Sequence, residues 1–122
     1  MADSELMIEQ YFEALNTEDY QAAASLFALD GALRPPFHEA IVGREAIAHY
    51  LEEEAKGIKL FPDQHTTQPL ELGGTEHVIT GKVQTPHFFV NASWHILLNA
   101  GSEIQSVKVK LLASLGELMN LR

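Results

Sequence analysis

A chain of 122 residues has room for one hydrophobic core and not for two, and 46% hydrophobic against 20% charged residues is the balance of a chain that folds by itself. With 8 Lys and Arg against 17 Asp and Glu, its formal charge of -9 is expected to repel a nucleic-acid backbone or an anionic membrane. It contains no cysteine, which excludes disulfides, thiolate metal sites and thiol nucleophiles.

Met1 to Glu9 carries Asp3, Glu5 and Glu9 and lacks a basic start followed by an apolar run, so it does not read as a signal peptide and the default location is cytoplasmic. No window approaches the roughly 18 consecutive apolar residues of a spanning helix, so any membrane contact is expected to be peripheral and transient. Ile8, Tyr11, Phe12 and Leu15 recur at helical spacing, and Asn16-Thr17 offers a helix stop and the N-cap of a second helix over Glu18 to Ala28. Asp30-Gly31 then reads as a turn, Ala32 to Arg34 as a short strand, and Pro35-Pro36 as an edge or bulge, because neither proline can donate to a ladder.

Ala40 to Val42 reads as a second short strand, and a third helix runs from Arg44 to about Lys56, stopped by Gly57, with Ile47, Tyr50, Leu51 and Ile58 as its buried stripe. The period then changes from helix to strand: Lys59 to Leu72, Glu76 to Phe89, Asn91 to Asn99 and Glu103 to Ala113 alternate as strands, and Leu115 to Leu121 reads as a short tail helix. Helices first and long antiparallel strands after predict a single α+β domain over 1–122, three helices packed on one face of a curved, mixed, mostly antiparallel sheet.

Gly31-Ala32-Leu33-Arg34-Pro35-Pro36-Phe37, Ile41-Val42-Gly43, Gly81-Lys82-Val83-Gln84-Thr85-Pro86 and Leu111-Leu112-Ala113-Ser114 occur in an order that resembles the C-terminal-domain family of orange carotenoid proteins. The order of elements is likewise similar to the cystatin-like cone of the nuclear transport factor 2-like and SnoaL-like superfamily. The resemblance implies a stand-alone homologue of that domain that binds a ketocarotenoid of the echinenone or canthaxanthin type. It further implies a carotenoid carrier and singlet-oxygen quencher in photoprotection, sharing the pigment between two protomers and passing it to a helical carotenoid-binding protein. The family's tyrosine and tryptophan that hydrogen-bond the keto oxygen match Tyr11 and Trp94. Two departures bear on this. His87 stands where the family has a tryptophan, with a shorter loop to Asn91, and Ala55 occupies the place of a family cysteine, so a homodimer would be noncovalent.

The chemistry is sensible on its own terms: a polyene needs an apolar tunnel, and its polar end needs donors that stay neutral, which a phenol and an indole supply. The expected ligand contacts are Tyr11, Trp94, Leu60, Phe61, Val83, His87, Phe88, Ile96 and Leu112, with the tail from Leu115 gating the opening. The histidines at 38, 49, 65, 77, 87 and 95 form no metal spacing, so no metal is assigned, and satisfied or exposed histidines are expected. A competing reading is a SnoaL-like or isomerase-like enzyme working by acid/base catalysis on a small hydrophobic substrate, with Asp30, Glu39, His87 or His95 converging in the pocket.

Overall fold

The computed structural model describes residues 2–112. The tail helix expected over Leu115 to Leu121, and its gating role, lie outside the described residues. Helix α1 (Ala2–Asn16) turns Ile8, Tyr11, Phe12 and Leu15 into the core, as the helical spacing requires. Its last residue does not cap a second helix. The Asn16 side chain instead clamps strand β3 (Lys59–Pro69): Nδ2 donates to the Leu60 carbonyl at 2.9 Å and Oδ1 accepts from the Leu60 N–H at 2.7 Å. Asp19 is the cap of the second helix, α2 (Tyr20–Ser25), accepting from the Ala22 N–H at 3.2 Å.

Helix α2 is thus shorter than the expected Glu18 to Ala28, because strand β1 (Phe27–Arg34) begins immediately after it. Asp30-Gly31 lies inside that strand and not in a turn. The register between β1 and β6 (Ile104–Leu112) slips between Phe27 and Ala32, and Gly31 occupies the irregularity, where an added Cβ would lie 2.8 Å from the Ile104 carbonyl oxygen. Strand β2 (Ile41–Val42) pairs with β1, and Gly43, at φ 95°, leads into helix α3 (Arg44–Glu54). The Arg44 Nε donates to the Phe27 carbonyl at 2.7 Å and pins α3 to β1.

The remaining strands are β4 (Thr75–Gln84) and β5 (Phe89–Leu98). The expected strand from Glu76 to Phe89 is cut short at Gln84, because the Thr85 hydroxyl accepts from the His87 and Phe88 N–H groups and closes a turn through Pro86. The six strands form one sheet in the order β2-β1-β6-β5-β4-β3, in which β1 and β6 run parallel and the other neighbours antiparallel. One face of this sheet carries the cross-strand row Ile79, Trp94 and Val109, and α1 lies over it with the Phe12 ring edge-on to Trp94 at 5.1 Å. The fold class is therefore the expected α+β arrangement of three helices on a mixed sheet. Among the described residues, no helix is long and apolar enough to cross a membrane.

Candidate functional site

Between the helices and the sheet lies a cavity of about 180 Å³. Its floor follows from strand alternation: Leu60 pairs with Val83 across β3 and β4, Trp94 pairs with Val109 across β5 and β6, and all four face the helices. Its roof comes from α1 through Tyr11 and Leu15, one turn apart, and from α3 through Tyr50 and Leu51. Pro35-Pro36 closes one side. These prolines end β1, since neither has an N–H for the ladder, and the chain bends away from β6 at that point.

The wall is almost wholly apolar, and Tyr11, Tyr50 and Trp94, which carry neutral donors, are among its residues. Tyr11 is 1% exposed and Trp94 2%, yet both line the cavity, Tyr11 packing edge-on against Phe12 and Phe27 at 5.7 and 6.0 Å. Burial pushes the Tyr11 hydroxyl well above the ordinary tyrosine range, so it is a permanent O–H at any physiological pH. Tyr50 is raised as well, by desolvation first and the Glu54 carboxylate second. Among the described residues, the cavity lining contains no carboxylate and no imidazole.

Of the nine expected contacts, Tyr11, Leu60, Val83 and Trp94 come together on this wall. The other five stand elsewhere. Phe61 follows Leu60 on the strand, so the two-residue period turns it to the outer face, where it is 49% exposed. Leu112 is out of phase for the same reason, and Leu111, in step with Val109 and Val107, takes the place on the wall. Ile96 shares the face of Trp94 but is two residues deeper, fully buried between His77 and Val107. His87 and Phe88 belong to the β4–β5 turn and are exposed.

Leu33, Tyr50, Ala55, Ile58 and Val109 also line the cavity and were not among the expected contacts. The helical stripe Ile47, Tyr50, Leu51 and Ile58 carried the signal for two of them, but a buried stripe does not announce which of its members face a void. Asp30, Glu39, His87 and His95 do not converge: all four are exposed, and the Asp30 carboxylate accepts from Gln105 at 3.1 Å. Sequence reading also missed an imidazole pair, one ring buried and the other exposed. His77, fully buried, has its Nδ1 2.8 Å from the His65 Nε2, and its ring nitrogens stand 3.2 and 2.8 Å from the Thr67 and Thr75 hydroxyls. Among the described residues, no group of three or more His, Cys, Asp or Glu is placed to hold a metal ion.

Residues 8–86 match the model of the SnoaL-like domain. The chain is 44% identical over 116 residues to an orange carotenoid-binding protein of Limnospira maxima, covering 92% of this chain and 37% of that protein. Among solved structures it is similar to the orange carotenoid protein of Anabaena (Nostoc) sp. PCC 7120 binding canthaxanthin, with a TM-score of 0.85 and 40% identity over 93% of this chain and 38% of the other. The chain thus spans little more than a third of the length of these relatives. A protein of unknown function with a cystatin-like fold from Methylobium petroleophilum, 16% identical with a TM-score of 0.77 over 93% of this chain and 78% of the other, shares the fold alone.

Proposed function

This chain belongs to the SnoaL-like domain family, and from that premise we propose that it holds one ring end of a ketocarotenoid, of the echinenone or canthaxanthin type, in the cavity under α1 and α3. The observation that carries the reading is that residues with neutral donors, Tyr11, Trp94 and Tyr50, stand on a wall whose other residues are apolar. They suit a ligand whose only polar atom is a carbonyl oxygen at the end of a hydrocarbon. Homologues of over 40% identity are named for carotenoid binding, and a similar structure holds canthaxanthin.

The volume sets the mode of binding. Pockets that enclose a drug-sized ligand run to roughly 300–1,000 Å³, so a cavity of about 180 Å³ takes one ring and leaves the polyene projecting. A projecting polyene suits a carrier: a second copy, joined noncovalently, or a helical acceptor can cover the exposed part. Carriage in the cytoplasm and quenching of singlet oxygen belong to the same proposal. The acid/base alternative lacks its chemistry at this place, since no titratable carboxylate or imidazole lines the cavity among the described residues.

The test is reconstitution. Purified apo-protein mixed with detergent-solubilised canthaxanthin should yield a protein-bound, red-shifted visible band that co-elutes with the protein on a sizing column. A colourless protein peak after that exposure rejects the reading.

A further inference from the structure

Beside the apolar cavity, and sharing Pro35, Pro36, Val109 and Leu111 with it as a common wall, runs an open groove of about 440 Å³. It exists because β1 stops at Arg34, its last residue paired with β6, opposite Lys108; beyond that point the β6 edge runs on without β1. Arg34, Lys108 and Lys110 line the groove and are exposed, and among the described residues no carboxylate lines it. Among the described residues the one ion pair is Arg44 with Glu103, and none of these three cations has a salt-bridge partner there. In a chain carrying 17 acids against 8 bases, such a gathering is a local reversal of the molecule's charge.

Phe37 forms the lip of this groove. It is 96% exposed and held at φ 61°, a left-handed conformation that is unfavourable for a bulky residue and is retained only where the surroundings impose it. At the same end of the sheet, the β4–β5 turn presents Phe88 and Phe89, each 60% exposed. Cations interleaved with outward-facing phenyl rings make the composition of a surface that meets anionic headgroups with its charges and the acyl boundary with its rings.

We infer that this groove and lip are a docking site for an anionic lipid bilayer, placing the shared wall of the cavity against the membrane. The net charge of -9 opposes approach from a distance, but at physiological salt the field is screened within about 8 Å, so the local cations govern contact and release stays rapid. Docking stands on the groove alone; its use in loading pigment rests on the ligand reading above.

The experiment is vesicle flotation of the pigment-free protein, which is independent of pigment binding. The protein should float with phosphatidylglycerol–phosphatidylcholine vesicles and not with pure phosphatidylcholine, and the attachment should fall as salt rises. The variant R34Q/K108Q/K110Q, whose three sites are exposed, should lose on the order of a hundredfold in vesicle affinity, and F37S a smaller, salt-independent part. Both variants should take canthaxanthin from detergent as the parent does while drawing it from anionic vesicles more slowly. Equal flotation on both lipids, or a triple variant that floats like the parent, overturns the inference. So does a groove that joins two copies, seen as a dimer in sedimentation equilibrium that the triple variant abolishes, without vesicle attachment. A protein that floats as expected yet stays colourless in detergent refutes the ligand reading and leaves docking standing.

Discussion

At the scale of single side chains, the proposed site makes its sharpest predictions. Tyr11→Phe removes one hydroxyl and no apolar surface from the wall, so the fold should be untouched while, on the proposed reading, the carotenoid band weakens or shifts; a spectrum and affinity identical to the parent's would remove Tyr11 from the site. Tyr20 makes the opposite case. Its hydroxyl is buried with no hydrogen-bond partner among the described residues, an arrangement that costs roughly 1–3 kcal/mol, so Tyr20→Phe should leave thermal stability unchanged or raise it. A clear fall in melting temperature would mean that the hydroxyl has a partner. The family resemblance pointed to Tyr11 and Trp94, and both line the cavity, whereas Phe61 and Leu112 were expected there and lie elsewhere. One residue of phase decides between the wall and the outer face, and an apolar residue at either position looks alike in sequence.

At the scale of elements, close backbone approach and polar pairs between strands explain what periodicity could not. Gly81 in β4 lies opposite the irregularity at Pro62 in β3, where a Cβ would collide with the Phe61 carbonyl. Gly81→Ala should therefore cost at least about 2 kcal/mol in a denaturant titration, and a loss under half of that would show that the strands can shift apart. The His65–His77 pair links β3 to β4. Desolvation first, and then the neighbouring His65 ring, lower the His77 pKa below its ordinary 6.5, with Glu5 pulling weakly the other way. The folded state thus binds a proton less readily than the unfolded chain. Its stability from this group is intact above about pH 6.5 and is lost as pH falls through the depressed folded value. The melting temperature should drop on acidification from neutrality to pH 5, and His77→Gln should flatten that slope; an equally steep slope in the variant would place the acid sensitivity elsewhere.

For the whole molecule, the proposed ligand has its site only in the folded state, because the cavity is formed by elements distant in the chain. Canthaxanthin at a hundredfold excess over its dissociation constant should add about 2.7 kcal/mol of stability, which for a domain of this size is a rise on the order of 10 °C in melting temperature. An unchanged melting curve in the presence of bound colour would mean that the pigment binds outside the core.

By itself the sequence determined the class of the fold: helical spacing in Ile8 to Leu15 and Arg44 onward, then alternating strands, require a sheet with helices on one face. It also determined the cationic composition of Arg34, Lys108 and Lys110, but not that they meet. Tertiary structure alone decided which apolar residues surround a void, where β1 lets go of β6, and which histidine is buried. The physical reason is that periodicity reports the face a residue lies on, whereas cavities, grooves and cross-strand pairs arise from register and termination between elements distant in the chain. Those are set by a few close contacts, such as the carbonyl against Gly31 and the missing N–H groups of Pro35-Pro36, whose partners no local pattern reveals.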